Sequence, residues 1–459
     1  MIEINCSDIA KACGGKLISG TSTERILNIC IDSRKVACGD LFIPIKGERF
    51  DGHDFLVPSL QAGAVAALTQ QDVPAIEGKA IIRVDDTQKA LKDIAAWYRG
   101  LFDIPLVGIT GSVGKTSTKD MIASVLAEKY SVLKTQGNFN NEIGLPLTLF
   151  NLDKSHEAAV IEMGMSNLGE ISRLTAIAKP HIAVITNIGM SHIENLGSRE
   201  NILKAKLEIL EGLDSNGLVV LNSDDGFLAG VAKNLAFRTK MYGIENEADY
   251  RAYNVKNQGE NGTDFTVKIG EIEYNVHIPV PGIHNVYNAL AAMAAGVELG
   301  IPVESIIQGI AKFSSGNMRL NIITHNGIKI INDAYNASPN SMEAAINVLK
   351  DVAAGGRSAA VLGDMLELGD WAPEAHRGVG IFAAAKAVSC LVAVGQNARY
   401  IAQGARESGM PEAQIHSFDS NEEAIRYLRT WLQSGDVVLV KGSRGMKMEQ
   451  IVEELKIEN

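Results

Sequence analysis

Leu106-Val107-Gly108-Ile109-Thr110 is an unbroken apolar run, and Gly111-Ser112-Val113-Gly114-Lys115-Thr116 follows it without a spacer. This junction constrains the fold more than any other stretch. A short apolar run of this kind reads as a strand covered on both faces, the condition of a parallel sheet between helices. Glycine lets the backbone fold around a phosphate with its N–H groups inward, and a helix beginning near Lys115 adds its positive end. In such a loop Lys115 contacts the β- and γ-phosphates and the Thr116 hydroxyl ligates magnesium. Two residues separate the glycines, fewer than in G-x-x-x-x-G-K-[ST], so the loop alone leaves kinases, GTPases, motor ATPases and ligases open.

The rest of the chain agrees with an α/β class. Apolar strands Ala158 to Met163, Ile182 to Thr186 and Leu218 to Leu221 alternate with helical stretches, and an alanine-rich helix spans about Asn288 to Leu299. Ser314-Ser315-Gly316-Asn317 interrupts the pattern, which resumes with strands Ala359 to Leu362, Cys390 to Val394 and Val437 to Val440. Before about Gly100 the runs are short and β-rich, Arg25 to Ile31 and Asp40 to Ile45, as in a small α+β module. At ~100–200 residues per domain, 459 residues suggest several domains. Three are expected: 1–100, 101–314 as a P-loop parallel-sheet domain, and 315–459 as a smaller Rossmann-like domain. The last lacks G-x-G-x-x-G, so no dinucleotide is expected there.

A net charge of −11 argues against nucleic-acid or anionic-membrane binding. Cys6, Cys13, Cys30, Cys38 and Cys390 form no C-x-x-C pair, which fits a reducing cytoplasm better than a disulfide framework. The start Met1-Ile2-Glu3-Ile4-Asn5 lacks the pattern of a signal peptide, and Gly378 to Gly395 reads as helix then strand rather than as a membrane span.

Several polar residues sit where ligands of parallel sheets gather, beyond the carboxyl ends of strands. Glu162 ends one strand and suits a magnesium ligand, although taken alone it also reads as a solvent-facing or salt-bridged acid. His192 lies past the next strand, and a lone histidine is more often structural. Lys206, in Ala205-Lys206-Leu207-Glu208-Ile209, reads by itself as an ordinary helical lysine.

Taken together, Thr110 to Thr116 with these residues, Gly282-Ile283-His284-Asn285-Val286-Tyr287-Asn288, Met318-Arg319 and Asp333-Ala334-Tyr335-Asn336-Ala337-Ser338-Pro339 resemble the Mur ligase family. The resemblance covers all three expected domains. It implies that Gly111, Ser112, Val113, Gly114, Lys115, Thr116, Ser117, His284, Asn285, Asn288, Arg319, Asp333, Tyr335 and Asn336 bind ATP. It implies magnesium, in two ions, on Thr116, Glu162, His192 and a carbamylated Lys206, with Lys115, Glu162, His192 and Lys206 carrying catalysis. The family's usual acidic pair is Asn332-Asp333 here, with the second acid kept.

Within the family, Asp32-Ser33-Arg34-Lys35, Gly39 to Gly47 and Asp51-Gly52-His53 are similar to a uridine-binding module, with Ser33, Arg34 and Lys46 as substrate contacts. Thr135 to Pro146 adds Asn138, Asn140 and Asn141. Leu362-Gly363-Asp364-Met365-Leu366-Glu367-Leu368-Gly369 with His376, and Lys441-Gly442-Ser443-Arg444, resemble members that add D-alanyl-D-alanine to UDP-N-acetylmuramoyl-tripeptide in peptidoglycan precursor synthesis. Lys441, Ser443 and Arg444 are then expected to hold the dipeptide. The resemblance implies a cytoplasmic, monomeric enzyme without nucleic-acid or membrane partners. The alternatives are the ligase adding the third amino acid, a folylpolyglutamate synthetase, disfavoured by the N-terminal module, and a nucleotide-binding regulator with a degenerate site.

Overall fold

Three sheets, each built from its own stretch of chain, organise the computed structural model, which describes residues 1–457. The first has five strands in the spatial order Lys16–Ser19, Ala80–Arg83, Ala66–Thr69, Asp40–Phe42, Asn28–Cys30. Its neighbours run parallel except at the Lys16–Ser19 edge. The expected run Arg25 to Ile31 divides into Arg25–Ile26 and Asn28–Cys30, each paired with a different partner. Helix Thr87–Arg99 follows, capped by the Asp86 carboxylate, which accepts from the amides of Gln88 and Lys89. Its buried Leu91, Ile94 and Tyr98 face inward. Tyr98 donates to the Leu152 carbonyl at 2.7 Å, and Arg99 donates to the carbonyls of Ala178, Phe102 and Ile104. This helix therefore fastens the first sheet to the second.

The second sheet has nine strands in the order Ile272–Ile278, Thr263–Ile269, Tyr250–Asn257, Arg238–Gly243, Leu218–Asn222, Ile182–Ile185, Leu106–Thr110, Ala158–Glu162, Val132–Lys134. The seven strands from Tyr250–Asn257 to Val132–Lys134 are parallel, and the other two complete an antiparallel edge. Leu106–Thr110 is buried throughout and lies between Ala158–Glu162 and Ile182–Ile185. The chain leaves it to one side first and to the other side later, so strand order reverses there, which is where open α/β sheets bind ligands. Register carries Glu162 beside Ile109 and Ile185 beside Thr110, so the polar segments after all three strands open onto one place.

The third sheet runs Asn321–His325, Ile328–Asp333, Val437–Lys441, Ser358–Gly363, Cys390–Val394, Ile415–Phe418, and only the first strand is antiparallel to its neighbour. Asp333 and Lys441 are paired in register at the carboxyl ends of adjacent strands. The five cysteines are free, and among the described residues no helix is long and apolar enough to cross a membrane.

Candidate active site at the strand-order switch

Gly111 follows the buried strand with φ 147°, and a Cβ there would overlap the Thr186 hydroxyl, so only glycine fits. Gly114 caps helix Lys115–Leu126 from the left-handed region at φ 86°. The loop between them is tied to the segment after Ile182–Ile185. Ser112 N–H donates to the Asn187 carbonyl at 3.0 Å, Val113 N–H donates to Asn187 Oδ1 at 3.0 Å, and the Val113 carbonyl accepts from Thr186 Oγ1 at 2.7 Å. Gly189 N–H donates to Ser112 Oγ at 2.9 Å.

These bonds engage the backbone amides of Ser112 and Val113 in shaping the loop. The intrahelical ladder begins with Thr118 N–H to the Gly114 carbonyl at 2.8 Å, which leaves the first-turn N–H groups without helical acceptors. Asn187 and Thr186, which hold the loop, were not among the residues singled out from the sequence. Their only signal is a polar pair directly after a buried strand.

Lys115 Nζ lies over the same loop, 2.8 Å from the Gly111 carbonyl and 3.4 Å from that of Ser112. Burial lowers its pKa, the Arg319 guanidinium lowers it further, and the Glu162 carboxylate opposes both. Glu162 is buried and held from three sides. Thr116 Oγ1 donates to Oε2 at 2.9 Å, Asn140 Nδ2 donates to Oε1 at 2.8 Å, and its own N–H donates to Thr135 Oγ1 at 3.0 Å. Asn140 thus orients the carboxylate, while Asn141 caps the next helix by accepting from Ile143 and Gly144 N–H.

Lys206 stands in helix Arg199–Leu207, which Ser198 caps, and points inward with 1% exposure. Its Nζ has no hydrogen-bond partner among the described residues. Burial drives its pKa well below the ordinary lysine range, and the Lys115 ammonium adds to this against Glu170, Glu208 and Glu162. Burial therefore disfavours an ammonium at this position. His192 has left-handed backbone, φ 62°, and places Nδ1 2.7 Å from Glu367 Oε2 of the third sheet's loops, off the ideal hydrogen-bond line. Among the described residues no three His, Cys, Asp or Glu side chains gather into a metal-binding cluster.

The third sheet reaches this centre through Arg319. The guanidinium stacks over the Tyr335 ring at 4.0 Å, and Met318 and Leu320 on either side of it both have left-handed backbone. Asp333 holds that turn, accepting from Leu320 N–H at 3.2 Å and from Lys441 Nζ at 2.6 Å. In the alanine-rich helix, His284–Glu298, Asn285 Nδ2 donates to the Pro281 carbonyl. Asn288 accepts from Thr118 Oγ1 at 2.8 Å and donates to Asn285 Oδ1 at 3.0 Å, so both amides brace the loop's helix from behind. Burial, with Lys441 nearby, holds the His284 imidazole down to about 4.

Three residues expected to hold a dipeptide are engaged within the protein. Lys441, 3% exposed, pairs with Asp333 and donates to the Asn336 carbonyl, and Ser443 Oγ accepts from Leu366 N–H. Arg444 pairs with Glu449 at 2.9 Å but remains 57% exposed. In the first sheet's loops, Arg34 makes two 2.8 Å bonds to Asp32 and holds that carboxyl down at about 2, Ser33 opens the same short turn, and the backbones of Lys46 and Asp51 pair in an isolated antiparallel bridge.

The Asp333–Lys441 pair gives a direct test. Breaking a buried pair by removing one partner costs ~3–5 kcal/mol, so Lys441→Ala should lower Tm markedly and raise the KM for ATP by loosening the Arg319 turn. Unchanged Tm with only the dipeptide KM raised would place Lys441 in the dipeptide pocket instead.

Residues 109–296 match the Mur ligase middle domain, 318–444 the glutamate ligase domain of Mur ligases, and 25–99 the domain described as Mur ligase family, catalytic domain. The chain belongs to the Mur ligase family. It is 42% identical over 99% of both chains to UDP-N-acetylmuramoyl-tripeptide–D-alanyl-D-alanine ligase of Bacillus subtilis, and 34% identical over 99% of both to the Escherichia coli enzyme of that name. Among solved Mur ligases, MurF from Acinetobacter baumannii superposes with a TM-score of 0.92 at 32% identity over 99% of both chains. MurF from Thermotoga maritima in complex with ADP gives 0.84 at 31% identity, covering 94% of this chain and 97% of that one.

Proposed function

We propose that this Mur ligase joins D-alanyl-D-alanine to the C-terminal carboxylate of UDP-N-acetylmuramoyl-tripeptide, consuming ATP and releasing ADP and phosphate. The observation that carries the reading is the Gly111 to Thr116 loop at the strand-order switch, with Lys115, Glu162 and a buried, unpartnered Lys206 around it, in a chain matching such ligases end to end.

A carboxylate is a poor electrophile and needs activation. One carboxylate oxygen attacks the γ-phosphorus, the β–γ P–O bond breaks, and ADP leaves an acyl phosphate. The dipeptide amine then adds to the acyl carbon, and the tetrahedral intermediate expels phosphate as the amine loses its proton. Gly114 to Ser117 offer first-turn amides to the phosphates, and Lys115 and Arg319 add positive charge where it builds up during transfer. Burial disfavours the Lys206 ammonium and so favours the neutral amine, the form that adds to carbon dioxide. The resulting carbamate exchanges an unpaired amine for an anion facing the Lys115 ammonium. That change suits the site to a cation, which an ammonium repels. Magnesium, on Thr116, Glu162, His192 and the carbamate, would neutralise charge on the phosphoryl oxygens.

Residues 1–100 bind the UDP end through the surface around Ser33, Arg34 and Lys46, with Asn138 beside the sugar. Residues 101–314 hold ATP, and 315–459, of which 458–459 lie outside the described residues, deliver Arg319 and receive the dipeptide. Of the three residues Lys441, Ser443 and Arg444, only Arg444 keeps an exposed charged group for its carboxylate. The free cysteines and the requirement for ATP agree with a cytoplasmic reaction.

The test is phosphate release with ATP, D-alanyl-D-alanine and UDP-tripeptide ending in lysine or in diaminopimelate. Release should require all three, and a uridine-free muramoyl-tripeptide should lose kcat as well as affinity, because remote binding positions the reacting carboxylate. Release indifferent to both acceptor and dipeptide would point to a regulator. Preference for UDP-dipeptide with a free amino acid would point to the preceding step.

A further inference from the structure

We propose that Glu367 is a positioning residue that orients the His192 imidazole, so that the histidine takes its working orientation only when the third sheet is docked on the second. The inference rests on the ligase reading of the site and names a residue that reading does not use.

Glu367 lies in the loop after strand Ser358–Gly363, and that loop is pinned on both sides of it. Asp364 Oδ1 accepts from Ala398 N–H at 2.7 Å, Met365 N–H donates to His376 Nε2 at 2.9 Å, and Leu366 N–H donates to Ser443 Oγ at 2.9 Å. Beyond it, Trp371 N–H donates to the Leu368 carbonyl, and Gly369 packs against the Glu194 side chain. The loop therefore presents Glu367 from a fixed frame. Both members of the contact hold φ 62°, a conformation non-glycine residues avoid unless their surroundings impose it.

His192 Nδ1 is buried, with the Glu367 carboxylate 2.7 Å away. The Glu367 carboxyl is held below its usual range by that imidazole. With Glu367 58% exposed the pair adds little stability, as exposed ion pairs generally do, so its effect is geometric. A carboxylate beside one ring nitrogen restricts the ring plane and leaves the other nitrogen free for a ligand. His192 follows a strand of the second sheet and Glu367 one of the third, so the contact exists only when the two are docked. Closure and assembly of the centre become one event.

Full-length Glu367→Gln and Glu367→Asp, His192→Asn, and the Glu367→Gln/His192→Asn double variant are compared with the parent, using Mn2+ as the metal probe in the presence of a non-hydrolysable ATP analogue. Loss of an outer carboxylate typically weakens metal binding ~10–100-fold, so Glu367→Gln should bind Mn2+ at least ~10-fold more weakly and lose kcat, with the KM for ATP and Tm little changed. The double variant should be no worse than His192→Asn alone. Parent-like Mn2+ affinity and kcat in Glu367→Gln, or additive effects in the double variant, overturn the proposal. If the parent itself binds no Mn2+, the metal reading fails separately. Small-angle scattering then decides the positioning role, which requires analogue-induced compaction to be reduced in Glu367→Gln and is overturned if compaction equals the parent's. Should Glu367→Gln not fold, Glu367→Asp, one methylene shorter, is judged by the same outcomes.

Discussion

Lys206→Ala is expected to be nearly inactive, and formate or acetate should restore part of its turnover. The side chain is enclosed, its nitrogen is unpartnered, and burial together with the Lys115 ammonium disfavours its protonation. Leaving a buried polar group unsatisfied is costly, ~1–3 kcal/mol, so a site that retains one has a use for it. Carbamylation would provide that use, because the amine would gain two oxygens and a negative charge close to Lys115 and Glu162. Truncation removes both the oxygens and the stem that carried them, leaving space for a small carboxylate. Rescue should therefore fall off with carboxylate size. The measurement is steady-state phosphate release at increasing formate, acetate and propionate, beside incorporation of isotope-labelled carbon dioxide into the parent. Near-parent turnover in Lys206→Ala, or a parent that takes up no label while fully active, would sink the assignment.

The core strands were legible because burial on both faces writes itself into sequence as apolar runs. Leu106–Thr110, Ala158–Glu162, Ile182–Ile185, Ser358–Gly363, Cys390–Val394 and Val437–Lys441 all lie where such runs stand. The antiparallel edge Tyr250–Ile278 was not legible. Its strands alternate buried and exposed positions and carry Arg251, Lys256, Asp264, Lys268 and Glu273, so they resemble surface loops until the hairpin is seen.

In the site, Thr116 and Glu162 were readable because each ends or begins an element that topology places at the switch point. The fate of the loop amides was not readable, since it depends on Asn187, contributed by a strand more than seventy residues away. Lys441 shows the same limit. A lysine after a strand reads as a ligand group, and only the register with Ile328–Asp333 reveals that Asp333 already holds it.

Lys115→Ala should lower kcat by ~10²-fold or more, the scale seen when a group aimed at developing transition-state charge is removed. In the structure Nζ rests on the Gly111 and Ser112 carbonyls, beside a helix start whose first-turn amides have no helical acceptors. Burial and Arg319 weaken its hold on a proton, and a phosphate in the loop reverses that balance by supplying negative charge on the open side. The ammonium then follows the γ-phosphoryl group from ADP toward the acceptor carboxylate, an interaction that strengthens as charge shifts. Its loss should therefore appear in kcat more than in the KM for ATP. Lys115→Arg should rescue poorly, because a planar guanidinium does not fit the space a compact ammonium occupies against two carbonyls. Because the Lys115 Nζ hydrogen bonds go to backbone carbonyls, Tm should move little in either variant. Single-turnover phosphate release at saturating ATP separates the outcomes. Parent-like rates in Lys115→Ala would mean that Gly111 to Thr116 do not hold the transferring phosphate, whereas a raised KM with intact kcat would reduce Lys115 to ground-state binding.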